Sequence, residues 1–347
     1  MPTMSAPILV TGATGFIAAH IVNQLLEIGY RVRGTVRSLK KPGDIDVLKA
    51  LPGASERLEL VEADLTRPGS FDGPASGCAS IMHTASPYVL TVADPQRDLV
   101  DPAVNGTREV LMAAQRAGTV TRVVLTSSMA AITDEPESAH VLTEADWNEK
   151  SSVDRNPYYY SKTLAEKAAW AFMEQEPRRF DLVAINPFMV IGPSLTSPLN
   201  TSNQVLVDLL KGTYPGIVSL TWGMVDVRDV AAAHIRAMTS PSARGRYICA
   251  ADTIAMRQVV ELLGLNGFSR YRLPRIGLDS SIASALVRAI VFTQPKGAAS
   301  YLRTHLGRVP RYDTTKICSD LGMTFRAIPQ SILETMADLE RWGHLPH

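Results

Sequence analysis

Three cysteines in 347 residues are too few, and odd in number, for a disulfide framework. Cys78, Cys249 and Cys318 stand far apart, and none has a Cys or His partner at zinc spacing, which excludes the common structural zinc sites. Reduced thiols in a cytoplasmic protein without a bound metal are the expectation. Long apolar runs are also missing. The most membrane-like stretch, IASALVRAIVF, is too short to cross a bilayer and is interrupted by Arg288. The opening MPTMSAPILV lacks the basic-then-apolar order of a secretory signal. Neither sign of charge dominates: 35 Lys plus Arg face 34 Asp plus Glu for a net charge of +1, and no run of like charge marks a nucleic-acid or acidic-membrane surface. Repeats and low-complexity segments are absent. With 46% apolar residues the chain can bury a sizeable core, as one large domain or as two that share a site. The partner this composition suggests is a small molecule, and it leaves the oligomeric state open.

The first half alternates short apolar runs with amphipathic patterns. ILVTG (8–12), RVRGTV (31–36), LELVEA (58–63), SIMHTA (80–85), RVVLTSS (122–128) and DLVAINP (181–187) read as strands, with helices from about Phe16 to Ile28, from about Asn105 to Ala117 and before residue 181. Such alternation predicts a parallel sheet covered on both faces, hence a doubly wound α/β (Rossmann) domain over residues 1–187. Beyond Pro187 the pattern loosens, with helical stretches near 203–211, 255–263 and 280–292 and one late strand, GRYICA (245–250). Residues 188–347 are therefore read mainly as a smaller substrate-binding region, with 217–240, around VDVRDVAAAH, returning to the first domain.

LVTGATGFIAAHIV ends the first strand in a glycine turn and opens a helix, so Gly12, Thr14, Gly15, Phe16 and Ile17 are candidates to cradle a dinucleotide pyrophosphate. At the end of the second strand, GTVRSLKK carries Arg37 and Lys41 and no acid before Asp44. A carboxylate there would bind a ribose 2′-hydroxyl, whereas cations suit a 2′-phosphate, so the expected cofactor is NADPH/NADP+.

The stretch NPYYYSK (156–162) places three tyrosines before a lysine. Asn156 and Pro157 signal a helix start, Asn as N-cap and Pro at the first helical position. Side chains on a helix lean toward its N-terminus and residues four apart share a face, so Lys162 leans toward Tyr158 and away from Tyr160. Spacing alone leaves Tyr159 open. An ammonium and the positive end of a helix dipole both favour phenolate, which makes the chosen phenol an effective acid at neutral pH. Ser127 and Ser128 close the strand RVVLTSS at the carboxyl end of the expected sheet, where a hydroxyl can hold a carbonyl oxygen.

Glycine turn, strand-end serine and Tyr-x-x-x-Lys, in this order, resemble the extended short-chain dehydrogenase/reductases. VTGATGFIAAHIV, YRVRGTVRS, EADLTRPGSFD, HTASP, VVLTSS, YSKTLAEKAAW, INP and VDVRDVAAAH are similar to stretches of the dihydroflavonol reductase, cinnamoyl-CoA reductase and carbonyl (aldehyde) reductase subgroup. The resemblance implies that Ser128 orients the carbonyl, that Tyr158 rather than Tyr159 is the general acid, and that Lys162 lowers its pKa and binds the nicotinamide ribose. It further implies Asp64 and Leu65 on the adenine side, Thr84 and Ala85 along the cofactor, and Pro187 to Val190 at the nicotinamide carboxamide. Asn105, in VNGT, is read as fastening backbone, and His83 and His234 as structural. NPYYY stands where cinnamoyl-CoA reductases carry NWYCY, and Thr133 stands where dihydroflavonol reductases often carry Asn. The expected activity is hydride transfer from NADPH to an aromatic or bulky apolar aldehyde or ketone. The alternatives are a thioester or dihydroflavonol reductase, a steroid dehydrogenase, an NAD-dependent sugar epimerase and a non-enzymatic NADPH sensor.

Overall fold

A computed structural model describes residues 6–40, 43–86, 93–175, 179–293 and 296–346. Seven strands form one sheet in the spatial order Gly245–Cys249, Asp181–Pro187, Arg122–Thr126, Ser80–His83, Ile8–Val10, Val32–Val36, Leu58–Glu62, and every neighbouring pair is parallel. Order reverses beside the first strand, the switch that opens a crevice at the carboxyl ends of a doubly wound sheet. The two-residue period of a strand shows in how the core divides. Ile8, Val10, Met82, Val124, Val183 and Ile185 join the cluster on one face, while Leu9, Ile81, Val123, Leu125 and Leu182 join the cluster on the other. The central strands therefore need apolar residues at nearly every position, which is why their runs read as continuous rather than alternating, whereas the edge strand Leu58–Glu62 exposes Glu59 and Glu62.

Helices Phe16–Glu27 and Val227–Thr239 cover the first face, and Asp101–Ala117 and Pro157–Met173 cover the second. A smaller three-stranded sheet places Thr221–Asp226 between a parallel Met189–Ile191 and an antiparallel Asp252–Ala255. With helices Thr201–Lys211, Met256–Leu265 and Ile328–Arg341 it encloses a second core that includes Leu206, Leu210, Trp222, Met224, Leu263, Ile332 and Met336. Asp226 ends the central strand of this sheet and caps the next helix, its carboxylate accepting from the Arg228 amide at 2.8 Å. That helix packs on the large sheet through Val227, Val230 and Ala231. Within 217–240, then, the strand Thr221–Asp226 lies in the smaller sheet, Ile217–Val218 pairs with Gly277–Leu278 in a separate two-stranded sheet on the same second core, and the helix lies with the larger sheet. The late strand 245–249 pairs at the edge of the large sheet, and Ile317 and Leu321 also join its core.

Gly34, in the second strand, marks where the glycine turn packs onto the sheet: a Cβ there would fall 2.8 Å from Ala13 Cβ and 2.9 Å from Leu60 Cδ2. Gly34→Ala is expected to destabilise the fold by about 1–3 kcal/mol through overpacking. Gly73→Ala, whose Cβ would meet nothing within 4 Å, is expected to change stability by less than about 1 kcal/mol; urea unfolding of both variants beside the parent checks the contrast.

Candidate active site

The first strand ends in Thr11, and this buried hydroxyl organises the turn that follows. Its Oγ1 accepts from the amides of Thr84 at 3.1 Å and Ala85 at 2.9 Å and lies 3.0 Å from His83 Nδ1. Thr84 returns its own hydroxyl to the Thr11 carbonyl. Gly12 turns at φ 65°, and an added Cβ would lie 3.2 Å from Ala85 Cβ. Only glycine fits both the left-handed backbone and the close approach of the fourth strand's end. The turn is fixed to the second strand by Gly12 N donating to Thr35 Oγ1 at 3.0 Å and Ala13 N donating to the Thr35 carbonyl at 2.8 Å. Gly15 then begins helix Phe16–Glu27 with no side chain capping its first amides. A glycine cradle next to uncapped helix amides fits a dinucleotide pyrophosphate, with Thr14, Phe16 and Ile17 around it.

Arg37 is exposed just past the second strand, and its positive charge reaches Asp64 at the end of the third. Asp64 accepts from the Thr66 amide at 2.9 Å and hydroxyl at 2.8 Å, and these two bonds, more than the charge of Arg37, hold its carboxyl below the usual range. Leu65 next to it packs against Gly106 of the helix Asp101–Ala117. Lys41 lies outside the described residues. Pro187 closes its strand opposite Cys249, and Val190, three residues on and paired with Val225 in the smaller sheet, has its side chain in the core. Asn105 is exposed, and no side-chain hydrogen bond from it to a described residue is present.

The helix carrying the tyrosines runs Pro157–Met173, so Tyr158 falls in its first turn. Asn156 holds the N-cap position, and its carbonyl accepts from Tyr160 N at 3.0 Å, but its side chain does not cap. It adopts φ 52°, ψ 65°, the only positive φ among the described non-glycine residues, and turns its amide inward to Asp134 Oδ1 and, at 3.2 Å, to Thr304 Oγ1. Tertiary partners thus replace the local cap expected from the sequence.

Lys162 Nζ lies 6.0 Å from the centroid of the Tyr158 ring. Tyr159 points elsewhere, its hydroxyl 3.5 Å from His305 Nε2. Lys162 is buried, and burial lowers its pKa to about 8, partly offset by the negative charge of Glu166 one turn on. The two adjacent serines have different surroundings. Ser127 is buried and donates to Glu166 Oε2 at 2.5 Å, while Ser128 is half-buried, starts a short 3₁₀ turn and accepts from Ala130 N at 3.1 Å. His83 and His234 are buried neutral imidazoles: burial lowers them to about 3 and about 4; His83 bonds Thr11, and His234 bonds Thr126 Oγ1 at 2.7 Å and the Val230 carbonyl at 2.8 Å.

Sequence reasoning missed the layer beneath these groups. Thr11, Asn186 and Arg246 leave no mark in a linear pattern, whereas Glu166 extends the four-residue spacing of Tyr158 and Lys162 and was visible in principle. It also missed Thr304 and His305, which come from the far end of the chain to meet Asn156 and Tyr159.

A family model described as "NAD dependent epimerase/dehydratase family" matches residues 8–250. Cinnamoyl-CoA reductase 2 of Medicago truncatula is 36% identical over 343 residues, spanning 98% of this chain and 93% of that protein. Gre2 of Candida albicans, solved in complex with NADPH, aligns with a TM-score of 0.80 at 32% identity over 97% of this chain and 99% of its own. Yeast methylglyoxal/isovaleraldehyde reductase Gre2, also complexed with NADPH, gives 0.80 at 31% identity over 98% and 100%. The parallel sheet with its glycine turn and the matched span agree, and the chain belongs to the NAD dependent epimerase/dehydratase family, the extended short-chain dehydrogenase/reductases.

Proposed function

We propose that the protein is an NADPH-dependent reductase that converts an aromatic or bulky apolar aldehyde or ketone to an alcohol, with Ser128, Tyr158 and Lys162 as the reacting set. The observation that carries the reading is the shared helical face of Tyr158 and Lys162 at the carboxyl end of the parallel sheet, with Ser128 ending a neighbouring strand. Two similar structures complexed with NADPH support the cofactor, and one of them, named a methylglyoxal/isovaleraldehyde reductase, supports the reaction class.

Bound in the crevice, NADPH supplies the hydride. The chain holds its pyrophosphate on the turn Gly12–Gly15 and the first amides of the helix beyond, with Thr14, Phe16 and Ile17 alongside. Arg37 and Lys41 take the 2′-phosphate, Asp64 and Leu65 the adenine side, Thr84 and Ala85 the middle, and Pro187 to Val190 the carboxamide end. Ser128 Oγ orients the carbonyl oxygen by donating to it. Tyr158 passes its phenolic proton to that oxygen, and the Lys162 ammonium stabilises the phenolate left behind. Residues 188–347, with the exception of the segments that return to the large sheet, form the substrate region. We place the protein in the cytoplasm; its three cysteines are unpaired, Cys78 and Cys249 being buried, and no helix of the described residues is long and apolar enough to cross a membrane.

A second reading, reduction of a cinnamoyl-CoA-type thioester, is favoured by the relative that spans nearly the whole chain. Loss of NADPH absorbance with a panel of free aldehydes and ketones beside matched CoA thioesters decides between them: faster turnover of the free carbonyls supports the first reading, and turnover of thioesters alone overturns it.

Tyr158→Phe is expected to lower kcat by about 100- to 10,000-fold with NADPH binding nearly intact, whereas Tyr159→Phe and Tyr160→Phe retain most activity; steady-state kinetics and cofactor fluorescence check this. Arg37→Asp is expected to shift the NADPH/NADH preference toward NADH by roughly 10- to 100-fold, as a phosphate contact becomes a repulsion; unchanged selectivity in paired kcat/KM values rejects the clamp. In the free enzyme Lys162 is protonated below about pH 8 and neutral above it. Reductive kcat/KM is accordingly expected to fall as pH rises through that value, and a pH profile flat across this window rejects the ammonium's role.

A further inference from the structure

The side chains beneath the reacting set converge on one carboxylate. Glu166 continues the face of Tyr158 and Lys162 by one more turn and is almost fully buried. Its Oε2 accepts from Ser127 Oγ at 2.5 Å and Asn186 Nδ2 at 2.7 Å, and its Oε1 accepts from Arg246 Nε at 2.6 Å and Trp170 Nε1 at 3.1 Å. Asn186 Nδ2 also donates to the Ser128 carbonyl at 3.2 Å. Four elements therefore meet on Glu166: the strand end carrying both serines, the strand that runs into Pro187, the edge strand carrying Arg246, and the tyrosine helix.

Arg246 makes this burial tolerable. It comes from the edge strand Gly245–Cys249, pairs with Glu166, and spends its other donors on the carbonyls of Glu144 at 2.9 Å, Asp146 at 2.5 Å and Ala131 at 3.3 Å. Its guanidinium carbon also lies 3.8 Å from the centroid of the Trp147 ring. A buried ion pair compensates its desolvation only when the remaining donors and acceptors are satisfied in this way.

We propose that Glu166, held by Arg246, is a positioning residue for carbonyl reduction: it locks the serine strand to the tyrosine helix and is the counter-charge of Lys162. The inference rests on the assignment of Ser128, Tyr158 and Lys162 made above. Charged and titratable groups facing this pair are few. Lys162 meets Tyr158 and Glu166 on its own helix and His83 from the neighbouring strand, and that histidine stays neutral. Glu166 meets Arg246 from the edge strand. With the carboxylate removed, the negative charge that partly offsets burial of the ammonium is lost, so Lys162 sheds its proton at lower pH.

Glu166→Gln keeps the shape and removes the charge; Glu166→Asp keeps the charge and withdraws it by one methylene. Purified full-length variants are assayed for NADPH-dependent reduction of an aromatic aldehyde from about pH 6 to 10, with Tyr158→Phe alongside. The expected result is that Glu166→Gln binds NADPH as the parent does but loses kcat about tenfold or more, with its alkaline limb displaced by about one unit to lower pH. Glu166→Asp is expected to restore the position of the limb while kcat stays reduced. A Glu166→Gln profile scaled down equally at every pH, with its limb unmoved, overturns the proposal. If Glu166→Gln does not accumulate as folded protein, Glu166→Asp and Ser127→Ala decide, since each weakens a bond to the carboxylate: lowered kcat at unchanged KM for NADPH in both supports the lock, and parental kcat in both overturns it. Turnover surviving in Tyr158→Phe overturns the assignment of the general acid itself, whereas an inactive Tyr158→Phe beside an unmoved Glu166→Gln limb overturns only the role of Glu166.

Discussion

Burying an ammonium group is expensive, and the architecture around Lys162 is organised to sustain it. Taken out of water, the lysine loses hydration that no single contact replaces. The helix supplies two neighbours at four-residue steps, a phenol on one side and a carboxylate on the other. The carboxylate is itself buried and would be untenable without Arg246, which in turn relies on three carbonyls and an indole face. The chain of compensation runs from the reacting groups out to the edge of the sheet. It ties the last parallel strand, contributed from beyond residue 240, to the proposed site, whose candidate reacting side chains lie before residue 165.

The sheet imposes the second constraint. Parallel strands all end at one edge, so the residues just past those ends are brought together regardless of their distance in sequence. Thr11, Thr35, Thr84 and Ala85 make the glycine turn rigid through backbone and hydroxyl bonds, and Ser127, Ser128 and Asn186 occupy the corresponding positions two and three strands away. Rigidity on both sides of the switch point suits the proposed function, in which the protein contributes positioning while the cofactor carries the redox chemistry.

The smaller unit reaches this site through a polar seam. Asn156, in a left-handed conformation, bonds Asp134 and Thr304; Thr304 Oγ1 lies 2.8 Å from His305 Nδ1, and His305 meets Tyr159. His305 is buried, and burial lowers its pKa to about 4, so the seam is uncharged at this point near neutral pH. A backbone conformation that is unfavourable for a side-chain-bearing residue persists because several partners from two units over-determine it. The first turn of the tyrosine helix is thereby tied to the end of the helix Lys296–His305, and the second of the three tyrosines anchors that connection.

The features legible in sequence were those set by local geometry. Apolar runs buried on both faces marked the central strands of the parallel sheet, because a strand covered twice has few positions for a polar residue, and the glycine turn announced itself because only glycine adopts that backbone so close to Ala85. The Tyr158–Lys162 face followed from helical periodicity, a property of a four-residue step that no tertiary contact has to supply. Tertiary structure alone decided which serine faces Glu166, how Asn156 uses its side chain, and which cation neutralises Glu166. Each of these depends on partners 22 to 148 residues away, brought close by strand order and by packing of the second unit, and neither distance nor direction across a sheet is written in the spacing of residues along the chain.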